Sequence, residues 1–273
     1  MIKKKYSKNF SKFYMDTKYD FFFNNDILLK KAQKQNKIYS NQPIRRSCKI
    51  CGKKSLFEKD LITHKINYSF CKNCNHLNGK YEDTETFVEN IYISDSGLNY
   101  SKNYIDKDFH KRSIDIYLPK LNFLISTLPK KKFSILDVGC NMGIFINGLD
   151  SNGYKNVKGY DINRFSVENG KDKYKNIADN IIIRDVTKDL GENEYDVILL
   201  SDILPYVSRP EKLLENVHKA LKNDGVVYLN NISIENDSFK YDPRGWPAIG
   251  NGEIITLYSK QGLTNVLTKV GFT

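Results

Sequence analysis

Residues 135–145 read ILDVGCNMGIF, and this stretch decides the fold that we expect. An apolar run ends at an acid, Asp137, and a loop of small residues then leads into a second apolar run. Such a pattern is typical of a buried strand that passes through a short loop into a helix. Small residues in the loop would let a ligand approach the backbone closely. The carboxylate of Asp137 would repel a phosphate there and attract a cationic ligand.

Strand-like and helix-like segments alternate along the rest of the chain. We predict strands at 133–138, 157–160, 181–184, 195–200 and 226–230, and helices at 143–151, 164–173 and 211–221. This order is typical of an α/β fold, in which a parallel sheet is covered by helices on both faces. Ligands of such folds bind at the carboxyl ends of the strands.

Polar residues recur at these strand ends. Asp161 ends the second strand, and its two oxygens suit the two hydroxyls of a ribose. Asp185 follows the third strand, where it could bond an adenine amino group. S-adenosylmethionine carries a sulfonium, an ammonium, a ribose and an adenine, so it matches these positions better than a dinucleotide does. The predicted cofactor-binding set in this region is Asp137, Gly139, Cys140, Asn141, Gly143, Asp161, Ile162, Asp185, Val186 and Ser201.

This succession resembles the class I S-adenosylmethionine-dependent methyltransferases over roughly residues 133–273. The resemblance implies a Rossmann-like sheet. It implies that Asp137 and the loop 139–143 hold the methionine part of the cofactor. It also implies that Asp161 holds the ribose and that the pair at 185–186 contacts adenine.

The chain departs from the family pattern in several places. Asn141 replaces the usual middle glycine, and asparagine tolerates the left-handed backbone that such a loop needs. Tyr206 stands where many members carry histidine, so a histidine base is not expected at that position. Asp224 replaces one of two consecutive glycines. The family fold continues with two further strands, whereas the chain ends at Thr273, where they would begin.

Methyl transfer requires an aligned acceptor, the exclusion of water and, for a carbon or alcohol acceptor, a base. The candidate catalytic residues are Tyr206, Asp202 and His110. Tyr104 precedes the helix that normally caps the cofactor, and we expect it to contact the cofactor. Each has a simpler interpretation: Tyr206 and Tyr104 could be packing aromatics, and His110 a solvated helix residue. Arg244 and Trp246 lie in an insertion that often borders the acceptor in this family.

Two Cys-x-x-Cys pairs stand 19 residues apart in the first third of the chain. Such pairs can wrap four thiolates around one tetrahedral Zn²⁺, and a closed shell of this kind is structural rather than catalytic. The predicted zinc ligands are Cys48, Cys51, Cys71 and Cys74. A redox role is the alternative. His64 and His76 could serve as substitute ligands, but we expect them to be ordinary surface histidines.

The chain is accordingly divided into four predicted segments. A basic segment covers 1–47, a small zinc ribbon 48–80, a helical linker or lid 81–132, and the cofactor-binding domain 133–273. A zinc module before such a domain is similar to the sugar methyltransferases of deoxysugar and surface-polysaccharide pathways. Certain ribosomal-RNA guanine methyltransferases share this arrangement.

The net charge of +11 is concentrated in residues 1–47, where it could attract nucleic acid or an anionic surface. No apolar run is long enough to span a bilayer or to serve as a signal peptide. We therefore expect a cytoplasmic protein.

Three functions fit these features. The leading hypothesis is a methyltransferase that acts on a sugar, a nucleotide sugar or a capsule precursor, including a phosphate or phosphoramidate decoration of it. The second is an RNA methyltransferase, although no basic and aromatic stripe of the kind that binds single strands is evident. The third is a non-catalytic assembly protein.

Overall fold

The computed structural model describes residues 25–54, 60–94, 113–128, 132–244, 249 and 252–273. Among these residues, no helix combines the length and the apolarity that crossing a membrane would need. In chain order the elements are α1 (Asn25–Ser40), β1 (Leu61–Thr63), β2 (Ile66–Phe70), β3 (Leu77–Gly79), α2 (Glu85–Tyr92), α3 (Leu118–Thr127), β4 (Ile135–Val138), α4 (Ile144–Ser151), β5 (Val157–Asp161), α5 (Arg164–Lys173), β6 (Ile181–Ile183), β7 (Tyr195–Ser201), α6 (Pro210–Ala220), β8 (Leu221–Asn230), α7 (Asp237–Tyr241), β9 (Thr256–Leu257) and α8 (Lys260–Lys269).

The larger sheet has five strands in the order β6-β5-β4-β7-β8, and every pairing is parallel. All four residues of β4 are buried, as expected for a central strand covered on both faces. The chain crosses from one half of the sheet to the other between β6 and β7, which makes the space beside β4 a topological switch point. The predicted α/β fold is confirmed.

Helices cover both faces of this sheet because alternate strand residues point to opposite sides. Ile135 of β4 packs in one core with Phe145 of α4 and Leu124 of α3. Its neighbour Leu136 packs in a different core with Leu213 of α6. Alternate residues of a single strand thus pack against the two helix layers on opposite faces of the sheet.

The smaller sheet is antiparallel, in the order β1-β2-β3-β9. β1 and β2 lie between the two cysteine pairs in the chain. The fourth strand, β9, comes from the far end of the chain and pairs Leu257 with Leu77. The backbone N–H of Gly79 also bonds to the carbonyl of Ile255 at 3.0 Å. The sheet around the cysteines is therefore completed by residues that follow the larger sheet.

Replacement of Leu199 by alanine should lower the free energy of unfolding by about 2–5 kcal/mol, because it leaves a cavity in the centre of the larger sheet. Leu199 lies in β7 and is 0% exposed. The matched control is Ile182→Ala on β6, where the side chain is 36% exposed and the cost should be about 1 kcal/mol or less. Urea denaturation measures both values. Equal losses would contradict the assignment of β7 to the core.

Candidate functional site

The carboxyl edge of the larger sheet gathers most of the predicted site residues. The ends of β4, β5 and β6 carry the loop 139–143, Asp161 and Asp185, and they form one half of the edge. The ends of β7 and β8 carry Asp202 and Asn230 and form the other half.

The loop after β4 has a backbone that few residue types tolerate. Gly139, Asn141 and Gly143 have φ values of 77°, 51° and 76°. Asn141 adopts the left-handed region that its side chain permits, and its Oδ1 accepts a bond from the N–H of Met142 at 2.8 Å. A Cβ on Gly139 would lie 2.7 Å from Cδ1 of Ile203, so glycine is also required there for space.

Asp161 ties this loop to the second strand of the fold. Its Oδ2 accepts a hydrogen bond from the N–H of Asn141 at 2.8 Å, and its Oδ1 accepts one from the N–H of Asn163, also at 2.8 Å. Burial raises the pKa of Asp161. Since a carboxylate oxygen can accept more than one bond, both oxygens retain capacity for ligand hydroxyls.

Asp137 is the most deeply buried acid of the edge, with 3% of its surface exposed. Burial, and then the charge of Asp161, raise the pKa of Asp137 to about 7. Among the described residues, none donates a hydrogen bond to its carboxylate. Asp161 beside it is half-buried, and among the same described residues no cation pairs with either acid. Two such neighbouring acids fit a positively charged ligand, so the residues present suit S-adenosylmethionine.

The other predicted cofactor residues lie around these two acids. Asp185 is half-buried, and its Oδ1 accepts bonds from the N–H and the hydroxyl of Thr187 at 2.9 and 2.6 Å. The side chain of Val186 is buried in the core, whereas Ile162 and Ser201 are half-buried.

Cys140 belongs to this loop, and its side chain is buried in the core that contains Ile135 and Phe145. Burial raises the pKa of Cys140, so the group stays protonated. A Cβ on Gly159 would lie 2.7 Å from its Cβ. Cys140 is thus packed as a small neutral side chain.

Asp202 lies on the other half of the edge and has φ 56°. Its Oδ2 accepts bonds from Nζ of Lys120 at 2.6 Å and from Nδ2 of Asn230 at 3.0 Å. Lys120 belongs to α3 and is 82 residues distant in sequence, so sequence reasoning did not single it out. The side chain of Lys120 is 13% exposed and that of Asp202 is 34% exposed, so this ion pair is partly shielded from water.

Tyr206 lies on a short helical turn at Leu204–Tyr206, close to Asp202. Its ring packs edge-on against the ring of Tyr92, with centroids 5.5 Å apart. The carbonyl of Tyr92 accepts a bond from Nδ2 of Asn163, the residue that caps α5. The aromatic contact fits the packing interpretation of Tyr206 and leaves its chemical role a prediction.

Three predicted residues, Tyr104, His110 and Trp246, lie outside the described residues. Arg244 is exposed, and its backbone carbonyl accepts a bond from the hydroxyl of Thr63 at 3.1 Å.

The four paired cysteines converge on one point. Their sulfur atoms all lie within 4.8 Å of one another. The Sγ atoms of Cys48 and Cys74 are 3.7 Å apart, and those of Cys51 and Cys71 are 3.6 Å apart. A tetrahedral ion with Zn–S bonds of about 2.3 Å requires sulfur separations of about 3.8 Å. The cluster could therefore hold a metal ion, and its geometry suits zinc.

Each cysteine pair is shaped by its backbone turn. The N–H of Gly52 bonds to the carbonyl of Cys48 at 3.0 Å, and the N–H of Asn75 bonds to that of Cys71 at 2.7 Å. Both Gly52 and Asn75 have positive φ values, 66° and 56°. Asn78 of β3 also donates to Sγ of Cys48 at 3.6 Å.

Buried charges lie beside the cysteine cluster. Asp83 accepts from Nη2 of Arg45 at 2.5 Å and from Nζ of Lys49, and all three side chains are less than a tenth exposed. Burial lowers the pKa of Lys49. Lys49 lies between Cys48 and Cys51 in the chain, so this buried ion-pair group adjoins the first cysteine pair.

His76 is not the surface residue that the sequence suggested. It is 0% exposed, its ring packs on Tyr258, and neither ring nitrogen has a hydrogen-bond partner within the part of the chain that the structure describes. Burial lowers the pKa of His76, so the ring is neutral. Its place directly after the second cysteine pair buries it between that pair and the C-terminal segment. His64 is exposed, as predicted.

Comparisons with known proteins agree with this geometry. A ubiquinone biosynthesis O-methyltransferase of Neisseria meningitidis is 30% identical over 104 residues, which cover 36% of this chain and 44% of that protein. The chain thus matches less than half the length of this curated relative.

Two solved structures share the fold. A SAM-dependent methyltransferase of Thermotoga maritima has a TM-score of 0.51 at 17% identity, over 64% of this chain and 79% of that one. A protein of Pyrococcus horikoshii has a TM-score of 0.50 at 17% identity, over 62% and 88%.

The family model described as a methyltransferase domain matches residues 109–273, which is more than half of the chain and includes the whole parallel sheet. The left-handed loop after β4 and the acids at the strand ends lie within this match. The chain belongs to the methyltransferase-domain family.

Proposed function

We propose that this chain binds S-adenosylmethionine at the carboxyl edge of the larger sheet and transfers its methyl group to a small-molecule acceptor. The observation that carries the proposal is the pair of neighbouring acids, the buried Asp137 and the half-buried Asp161, beside a loop with left-handed positions. When bound, the cofactor supplies a methyl carbon that its sulfonium already activates.

The residues of the chain bind and orient in this proposal. Asp161 accepts the ribose hydroxyls while its backbone bonds hold the loop in place. Asp137 faces the cationic part of the cofactor, and Asp185 with Val186 borders the adenine. The remaining cofactor contacts expected from the sequence, Tyr104 among them, stay predictions.

The acceptor is proposed to lie over the ends of β7 and β8, because the other strand ends are assigned to the cofactor. Asp202 lies there in an ion pair with Lys120, and its bonds to Lys120 and Asn230 favour a role in orienting the acceptor. Tyr206 and His110 are retained as candidates for handling the acceptor or its proton.

We propose a sugar-linked acceptor, such as a nucleotide sugar or a capsule precursor. The arrangement of a cysteine module before the methyltransferase domain supports it, and the name of the Neisseria relative supports an oxygen as the methylated atom. RNA is the second candidate, since the net charge of +11 lies mainly in residues 1–47. A cytoplasmic location is part of the proposal, since the cysteines are spaced for a metal rather than for disulfides.

The acceptor is tested by incubation with radiolabelled S-adenosylmethionine and separate pools of nucleotide sugars, capsule-type oligosaccharides and total RNA. Label in a sugar fraction supports the proposal, and label in RNA alone supports the second candidate. Absence of S-adenosylmethionine binding by calorimetry would favour a non-catalytic assembly protein instead.

Replacement of Asp161 by alanine should weaken S-adenosylmethionine binding by about 1–3 kcal/mol, because ligand hydroxyls and loop N–H groups would lose their acceptor. Isothermal calorimetry measures the change. Asp172→Ala is the control, since that side chain is 84% exposed and lies on α5. An affinity unchanged in Asp161→Ala would remove this acid from the site.

Cofactor affinity should depend on pH through Asp137, whose pKa is raised to about 7 in the free protein. A bound cation favours the carboxylate and lowers that pKa, so binding releases a proton near neutrality. The affinity should be full above about pH 8 and fall up to about tenfold per unit below about pH 6.

Calorimetry over this pH range, in two buffers of different ionisation enthalpy, measures the affinity and the released proton. In Asp137→Asn, the part of the pH dependence of the affinity that Asp137 causes should disappear, and so should the proton that Asp137 releases on binding. The same pH profile in the variant and the native protein would contradict the assignment.

The cysteine cluster is proposed to hold one structural zinc ion. The purified protein should contain zinc in equimolar amount, and Cys48→Ser should retain far less, since one of four ligands is lost. Cys140→Ser is the matched control, because this cysteine lies outside the cluster, and it should keep its zinc. Metal analysis of the three proteins decides. Zinc-free native protein would end the proposal, and metal removal should also unfold residues 48–80.

A further inference from the structure

The second cysteine pair is bonded directly to the C-terminal helix. Ser259 caps α8, and its Oγ accepts a bond from the N–H of Gly262 at 2.8 Å. The same hydroxyl donates to the carbonyl of Cys74 at 2.5 Å. A side chain that is 1% exposed therefore joins the cysteine cluster to the start of α8.

Tyr258, the residue before this cap, contacts both the cysteine cluster and the loop after β7. Its ring lies edge-on to His76, with centroids 5.0 Å apart, and packs in the same core as Cys48 and Cys74. Its hydroxyl donates to the carbonyl of Leu204 at 3.2 Å. Tyr258 is 1% exposed, so this bond is shielded from water and has no solvent substitute.

Leu204 belongs to the loop after β7, and that loop touches the proposed cofactor loop. Ile203, the residue before Leu204, fills the space at Gly139. A Cβ on Gly139 would lie 2.7 Å from Cδ1 of Ile203. Asp202, on the other side of Ile203, carries the ion pair with Lys120. The contacts thus run without a gap from the cysteine cluster through Tyr258 and Ile203 to the loop 139–143.

We infer that Tyr258 is a positioning residue that couples occupancy of the cysteine cluster to cofactor binding at the loop 139–143. This inference rests on the proposed function and on the proposed zinc ion. A metal ion fixes the position of Cys74, and Cys74 holds Ser259 and thereby Tyr258. The phenol then holds the loop that packs against Gly139. Loss of the metal would free Cys74 and would thereby weaken the contacts that hold the loop beside Gly139.

Linkage makes the inference measurable from both sides, because coupling between two ligands is reciprocal. S-adenosylhomocysteine, which lacks the transferable methyl group, is the cofactor-side probe. In the native zinc-loaded protein, it should raise the zinc affinity at least about fivefold, a usual size for such coupling. Competition for zinc with a coloured chelator measures the zinc affinity with and without S-adenosylhomocysteine. The ratio of these two affinities is the coupling factor.

Tyr258→Phe removes the hydroxyl and should bring the coupling factor close to one, while the protein still binds zinc. The matched control is Tyr39→Phe. Tyr39 is equally buried and donates to the carbonyl of Tyr81 at 2.5 Å, but within the core of the smaller sheet. The control should keep the native factor. Amide exchange of residues 202–208 should accelerate in zinc-loaded Tyr258→Phe and remain native in the control, which separates a local effect from general unfolding.

A native zinc affinity that S-adenosylhomocysteine does not change would overturn the inference. So would a Tyr258→Phe protein with the full native factor. Calorimetry distinguishes these results from a failure of the proposed function: a native protein that binds no S-adenosylhomocysteine refutes the cofactor site and the coupling together. Binding that is indifferent to zinc refutes the coupling alone.

Discussion

The two backbone bonds accepted by Asp161 determine the geometry of the whole candidate site. They hold the first loop of the parallel sheet against the second strand, through the N–H groups of Asn141 and Asn163. Burial disfavours the charge of Asp161, and that charge in turn helps burial to raise the pKa of the neighbouring Asp137. The edge is thus preorganised for a cation, and the free protein carries an electrostatic cost that a cationic ligand would relieve.

Buried charged side chains adjoin the first cysteine pair. Lys49 lies between Cys48 and Cys51 in the chain, and it shares the buried carboxylate of Asp83 with Arg45. Four thiolates around a divalent ion would carry two negative charges in total, so buried cations next to such a cluster suit its metal-bound form.

Local sequence patterns were sufficient for the parts of the structure that local chemistry determines. The glycines and the acid around 135–145, the cysteine spacing and the strand periodicity predicted the parallel sheet and the convergence of four thiols. They failed where distant segments meet. Nothing around Lys120 indicates that it bonds to Asp202, because a helical lysine is ordinarily solvated. His76 was expected at the surface because polar histidines usually lie there. Its ring instead packs against Tyr258, which follows it by more than half of the chain, so no local pattern could indicate the contact.

The pairing of β3 with β9 has a consequence for the order in which the protein forms. During synthesis the cysteine pairs and the first three strands leave the ribosome long before Thr256 and Leu257 exist. Until then the backbone groups of β3 that later bond to β9 remain an open edge, which invites pairing with other chains. Contacts so remote in sequence also form slowly. The edge of β3 is therefore open to such pairing until β9 has been synthesised and has docked on it.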